Sequence, residues 1–430
     1  MPQLITNNLR VLSASLFRDA LLDSSNTVLY SFIGRSLPWE STPNGSNLYN
    51  NQYAEINTWH DIIALKKINS NDVKLVIPRK NWTSTTVYDQ YDHLDTSLNT
   101  KNFYVLTSPE YNVYVCISNN NGAQSVNKPT SKSITTFTTA DGYKWKYLYS
   151  LSDSDILKFL TIKYMPININ SDVLSTTVGG TIENFVITSG GFGFASNSAI
   201  SIKGNGSGFS GTLNLSGNSI SSITINDAGA GYTYAQISYS GPGSNANIRP
   251  IISPALGHGY NIYENLNARY LMINSRFNYA EGGGDVPIVN EFRSYGVIKN
   301  PLTPSGQLAN AVTMDGAYLL NANILSGTFS LDEKITGNVL FGNGIVLSAN
   351  VETPNVVLRY LTPANVLTGV TTFSEGERIT GNTSGATAMI ISIRPPEVRK
   401  YSGKILYIEN RDAITRSYDQ AENLHIVLEF

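Results

Sequence analysis

Two internal repeats constrain this chain more than any other feature, because a duplicated strand-and-turn unit restricts both the class of fold and where domains begin and end. In the first, Phe185-Val186-Ile187-Thr188 is followed by Gly191-Phe192-Gly193-Phe194, then Ile200-Ser201-Ile202, Gly204 and Gly206. Some 38 residues on, Ile223-Thr224-Ile225 is followed by Gly229-Ala230-Gly231-Tyr232, then Ile237-Ser238-Tyr239, Gly241 and Gly243. Each unit reads as strand, Gly-aromatic turn, strand, Gly-rich turn. The second repeat is residues 329–338 (FSLDEKITGN), echoed 44 residues later by 373–382 (FSEGERITGN), each followed by β-branched residues. Two copies are too few for a free-standing solenoid, so each stretch is expected to close as one compact β unit of two similar halves.

The rest of the chain has a different texture. From Asn7 or Asn8 to about Leu22, Leu9, Leu12, Leu16, Phe17, Ala20 and Leu21 recur at helical spacing, which predicts an amphipathic helix with an Asn cap. Strands are expected at 27–33, 73–77, 103–106, 111–117, 270–273, 295–298, 404–408 and 424–430, with helices at 55–65 and 153–160. The strongest strand signal is residues 141–149 (DGYKWKYLY). Alternation puts Tyr143, Trp145, Tyr147 and Tyr149 on one face and Lys144, Lys146 and Leu148 on the other. Such an aromatic face is expected to be core against a second layer, covered by a sequence-distant element for which the C-terminal strand is the first choice.

These readings predict a mainly β chain with some helix (α+β): a discontinuous β-rich core domain carrying two small all-β insertions. The boundaries are core at 1–171, Gly-rich insertion at 172–257, core at 258–304, second insertion at 305–396 and core at 397–430. A length of 430 residues suits several domains. Charged residues are only 14% against about 25% in average soluble proteins, so Asn, Ser, Thr and Gly supply the polarity, as in turn-rich β proteins. A formal net charge of -2 offers no field for nucleic acid or an anionic membrane, and no window holds 18 consecutive apolar residues. The N-terminal MPQLITNNLR has neither a basic nor a following apolar region, so no secretory signal is expected.

Searches for chemistry come out empty. Cys116 is the single cysteine, which excludes an internal disulfide and a Cys-rich zinc site, and its place in an apolar strand predicts a buried thiol. His60 and Asp61 are neighbours on a helix and point apart, so no dyad is expected. His93 reads as a solvated loop residue and His258 as a turn residue. Gly204-Asn205-Gly206-Ser207-Gly208 lacks the Lys and the helix of a phosphate loop. No catalytic residue, cofactor site or metal site is expected, and the chain does not read as an enzyme.

Six short segments occur in a telling order. They are Phe32-Ile33-Gly34-Arg35-Ser36-Leu37-Pro38-Trp39, Val76-Ile77-Pro78-Arg79-Lys80-Asn81-Trp82, Asp141-Gly142-Tyr143-Lys144-Trp145-Lys146-Tyr147, Phe292-Arg293 through Leu302, Ser402-Gly403-Lys404 through Arg411, and the closing Asp419-Gln420 to Phe430. Together they resemble the baseplate wedge protein of T-even-like contractile-tailed bacteriophages, the subunit that forms a dimer within each wedge. The resemblance covers roughly 1–170, 258–304 and 397–430, and both repeat-bearing stretches depart from it. It implies a structural subunit of the virion tail baseplate, made in the host bacterial cytoplasm, a homodimer docked on other wedge subunits around the tail hub, with no catalytic residues to carry over.

Arg35 and Trp39, and Arg79 and Trp82, are the expected protein-interface residues, because Arg and Trp on loops at strand ends are presented by a rigid scaffold. The alternative is that they hold the corners of their own core together. A rival function is a carbohydrate-binding or depolymerising tail protein, in which the insertions contact glycan.

Overall fold

The computed structural model describes residues 6–23, 27–39, 52–278, 290–362, 372–416 and 421–430. Of a polar, Asn-rich loop expected at 44–53, residues 44–51 lie outside the described residues, as do the Gly loop expected at 282–284, the turn residues Ser24, Ser25 and Asn26, and Asp419-Gln420. Gln52 and Tyr53 are helical rather than loop. The chain is mainly β with a few helices. It divides into two compact units, one of Met1–Leu16, Lys74–Met272 and Val427–Phe430, the other of Phe17–Val73 and Ile273–Ile426. The segments expected to build one core are shared between them, and each unit contains one repeat-bearing stretch.

In the first unit, strands Tyr104–Leu106, Asn112–Ser118, Lys144–Ser150 and Phe137–Thr138 lie side by side in that order. Tyr143, Trp145 and Tyr147 pack with Tyr88, Val105, Tyr114, Cys116 and Val173, with the Trp82 ring against the same cluster. The aromatic face is therefore core, but its cover is local in sequence. The C-terminal strand Glu422–Glu429 instead joins a sheet ordered with Tyr270–Phe277, Val73–Pro78 and Tyr164–Pro166. Tyr149 also departs from simple alternation. Val113 pairs with Tyr149 and Tyr114 with Tyr147, so a bulge at Leu148 turns Tyr149 to the opposite face, where its hydroxyl donates to Pro166 O at 3.1 Å. Cys116 is fully buried, and burial pushes its thiol well above its ordinary value.

Helix Asn7–Leu22 forms where its periodicity predicts, yet it buries Val11 and Ala14 and leaves Leu9, Leu12 and Leu16 exposed. The expected helix at 55–65 is shorter: Gln52–Asp61 is helical and strand Ile62–Ile68 follows directly. Two successive isoleucines favour extended backbone, and pairing with Leu29–Gly34 secures it, Phe32 opposite Leu65. This strand belongs to a five-stranded sheet of the second unit, ordered Thr313–Asp315, Ile62–Ile68, Leu29–Gly34, Phe292–Lys299 and Lys404–Ile414. Tyr30, Phe32, Leu65 and Ile298 of the sheet pack with Trp59 of helix Gln52–Asp61 in one buried cluster.

The Gly-rich module is three two-stranded ribbons related by an internal two-fold. Strand Ile182–Phe192 of the first copy pairs with Ser244–Ile252 of the second, with Ser244 opposite Phe192, Arg249 opposite Val186 and Ile252 opposite Ile182. Exchanging the copies gives the second ribbon, Ser207–Ser216 with Ser219–Ala230, where Ser207 faces Ala230, Thr212 faces Thr224 and Leu215 faces Ile220. Even the register shifts correspond, after Asn247 and Ile251 in one ribbon and after Ser210 and Asn214 in the other. In the third ribbon the equivalent residues Ser201 and Ser238 face each other across the axis. Neither copy closes by itself. Each Gly-aromatic turn also seals the other copy: a β-carbon at Gly243 would come within 2.4 Å of the Phe194 ring, and one at Gly206 within 2.5 Å of the Tyr232 ring. Glycine is required there because the backbone lies flat under an aromatic ring.

The second module is a closed six-stranded barrel, ordered Tyr318–Ser326, Asn355–Leu361, Asn343–Glu352, Lys334–Gly337, Arg378–Gly381 and Thr387–Arg394. It has the same kind of symmetry. Thr336 faces Thr380 and Leu320 faces Leu358, so a two-fold passes through opposite sides of the barrel. Leu320, Ile335, Val346, Leu358, Tyr360 and Ile379 fill its interior. Glu333 and Glu377, equivalent residues of the two copies, are both buried. The Glu333 carboxylate accepts from the backbone N–H of Ser330, Thr383 and Ser384, and that of Glu377 from Ser374, Val339 and Leu340.

Candidate functional site

The four expected interface residues sit at strand ends, each making polar contacts within its own unit, although the buried Arg35 Nε has no hydrogen-bond partner. Arg35 follows strand Leu29–Gly34 with φ 56. Its guanidinium lies 3.2 Å from the Asp61 carboxylate, donates to Pro38 O at 3.1 Å and stacks 4.1 Å from the centroid of Trp39. Trp39 in turn donates its indole N–H to Arg411 O at 3.0 Å. These contacts join two segments 372 residues apart in sequence. In the first unit, Arg79 donates to Thr161 O at 3.0 Å and to Asn81 Oδ1 at 2.9 Å, while Trp82 donates to Ser125 Oγ at 3.2 Å. All four rings or guanidinium groups are half-buried. The structure thus gives each a corner-holding role and leaves one side of each accessible.

Three histidines are more engaged than their sequence context implies. His258, expected as a turn residue, is buried, with Nε2 2.9 Å from the Glu183 carboxylate and Nδ1 3.0 Å from the Asn265 side-chain amide. His93, expected to be solvated, accepts from Ile252 N–H at 3.2 Å through Nδ1, and burial lowers its pKa. Both residues tie the root of the Gly-rich module to the unit that carries it. Asn184 and Arg249 add two more ties, to Ile117 O at 3.2 Å and to Asp92 at 3.0 Å. In the second unit, His60 Nδ1 lies 2.7 Å from Thr362 O. A carbonyl only accepts, so Nδ1 carries the proton and Nε2 accepts from the Tyr401 hydroxyl. Burial and the nearby Lys400 ammonium push His60 down to about 4. Burial likewise lowers Lys400 to about 8.

A cleft of about 580 Å³ opens in the first unit. Leu98, Ile169, Leu256, Tyr260 and Tyr263 supply apolar wall, and Asp92, Asp95 and Glu264 supply carboxylates. Leu256 and Tyr260 are half exposed in it, at 54% and 50%. Asp95 is held down to about 2, chiefly by the Lys101 ammonium at 2.5 Å and the Ser97 hydroxyl. This lining was not legible from sequence, since its residues come from four separated stretches with no motif among them. Among the described residues no group of three or more His, Cys, Asp or Glu is arranged to hold a metal, and no helix is long and apolar enough to cross a membrane. Compared with known proteins, the chain matches no family model and no curated sequence.

Proposed function

We propose that this chain is a structural subunit of a contractile phage tail baseplate wedge, acting as a homodimer that docks on other wedge proteins around the tail hub within the virion. The observation that carries the reading is how the resembling segments lie in the fold. Three of the six are neighbouring strands of one sheet, with Ile33 opposite Tyr295 and Val297 opposite Tyr407. Further contacts knit the same three together: Arg293 donates to Ser36 O, Leu302 N–H to Ser402 Oγ and Trp39 to Arg411 O. In the first unit, Trp82 of the second segment packs on Tyr143 and Trp145 of the third. Short motifs scattered along a chain are weak evidence singly. Their convergence in space gives them a common structural reason, and the repeat-bearing stretches that lack the resemblance close as separate modules.

The chemistry supports a scaffold role in the same direction. The aromatic residues that a glycan site would need from the 141–149 strand and from Phe194 and Tyr232 are buried in cores. The test is light scattering on the purified chain followed by mixing with candidate wedge proteins. A dimer that forms a defined complex with a wedge partner is the expected result. A strict monomer that binds polysaccharide and ignores baseplate proteins would overturn the proposal.

A further inference from the structure

The barrel contains its own control experiment. After Asn338 the first copy turns through Val339-Leu340-Phe341, and after Asn382 the second turns through Thr383-Ser384-Gly385. The two turns are built alike. Gly337 N–H donates to Gly342 O in one and Gly381 N–H to Ala386 O in the other, both at 2.9 Å. Each turn is held by the buried glutamate of the opposite copy. Both need left-handed backbone at the third residue, φ 67 at Gly385 and φ 51 at Phe341.

Glycine adopts that conformation without strain, and a bulky aromatic is an outlier there. Phe341 is nonetheless 68% exposed, beside Val339 at 59% and Leu340 at 49%. The fold does not ask for three apolar side chains at this tip, since its twin is built from Thr, Ser and Gly. A strained, solvent-facing apolar tip points to a contact outside the chain.

We infer that Val339-Leu340-Phe341 is a docking anchor that enters the Leu256-Tyr260-Glu264 cleft of a second copy of this chain. Two features favour that occupant. Arg378 is exposed, accepts from Asn338 N–H at 3.1 Å through its backbone carbonyl and donates its own N–H to Asn338 Oδ1 at 3.0 Å, which places a cation beside the apolar tip. The cleft pairs apolar wall with the exposed Glu264 carboxylate, whereas Asp95 and Asp92 are already paired with Lys101 and Arg249, so apolar surface and the Glu264 charge are what complement the tip and Arg378. Its size falls within the range of about 300–1,000 Å³ that buries most of a small ligand. A contact in which each copy gives one tip and receives one is the isologous pattern of a two-fold dimer.

This inference rests on the homodimer of the proposed function, and the experiment separates the two. The full-length chain is compared with a triple variant, Val339→Thr, Leu340→Ser and Phe341→Gly, which copies the chain's own second turn and so keeps the barrel folded. A second variant carries Leu256→Ser and Tyr260→Ser. Sedimentation velocity should show a wild-type dimer and, for either variant, a dissociation constant raised at least about thirtyfold. Thermal melting of the triple variant should show no lower midpoint.

Mixing the two variants should restore a mixed dimer, because the intact tip of one meets the intact cleft of the other. Variants that dimerise like wild type would overturn the anchor and leave the homodimer standing. A monomeric wild type would overturn both. A monomer that binds phosphatidylcholine–phosphatidylglycerol vesicles through the tip would also overturn the inference, assigning the tip to a lipid surface.

Discussion

Glu333 and Glu377 stand at equivalent places in the two halves of the barrel, and each holds the turn that belongs to the other half. Glu333 binds the backbone N–H groups of Thr383 and Ser384 at 3.1 and 3.0 Å, and Glu377 those of Val339 and Leu340 at 2.6 and 2.9 Å. An ionised carboxylate has acceptors and no donor, which suits a site lined by backbone donors.

Replacing either glutamate by Gln should therefore cost about 2–4 kcal/mol, since an amide NH₂ then faces N–H donors in a buried site. Chemical denaturation with a barrel-local probe would measure it. A loss below about 0.5 kcal/mol would show that water substitutes for the carboxylate.

Acid should weaken the fold in two stages. His60 has its pKa lowered in the folded protein from 6.5 to about 4, so the unfolded chain binds more protons between those values. Its contribution is present above about pH 6.5, falls as the pH drops and levels off near 4, a loss of up to about 3 kcal/mol. For Glu333 and Glu377 burial favours the neutral acid, but the hydrogen bonds from backbone and serine donors outweigh it and lower both. Their contribution is present above their ordinary value of 4.5 and is lost below it. Denaturation midpoints of His60→Gln should show a smaller upper stage, the remainder coming from His93, whose pKa burial also lowers, and should keep the lower stage.

The reciprocal aromatics of the Gly-rich module should behave as a pair. Phe194→Ala and Tyr232→Ala each empty a ring site over the other copy's glycine turn, and each should cost about 3–5 kcal/mol. Equal losses in hydrogen-exchange protection across both copies would follow from either substitution. Loss confined to the mutated copy would contradict the shared core.

Arg35→Ala removes an ion pair to Asp61, a bond to Pro38 O and stacking on Trp39, and should lower stability by about 1–3 kcal/mol. Arg79→Ala removes support for the turn at Thr161 and should cost about 1 kcal/mol. Melting temperature and wedge assembly are read together. Lower melting temperature with unchanged assembly would limit both arginines to the fold and remove them as interface residues.

The β class, both repeats and most strands were legible because they rest on local periodicity and turn chemistry. The first helix was legible too, but not which side it buries, since Leu9, Leu12 and Leu16 satisfy the helical period while tertiary packing selects Val11 and Ala14. Tyr149 was misplaced by a bulge that alternation cannot register. The chain's partition into units was hidden because sheet neighbours such as Ile33 and Tyr295 are set by long-range pairing. The apolar tip did have a sequence signal, the mismatch of Val339-Leu340-Phe341 with Thr383-Ser384-Gly385 beyond the point where the repeats align. The cleft had none.

Both modules begin and end at one place. Ile182 lies opposite Ile252 across the first ribbon, and Leu319 lies opposite Arg394 across the barrel wall. To the chain that carries it, each module is therefore a plug in a two-pin socket. Entry and exit are already side by side, so gaining or losing the whole cassette changes little more than the length of one closed loop, whose entropy grows only slowly with size. Lineages of such proteins could differ by an entire module while their sheets keep the same registers.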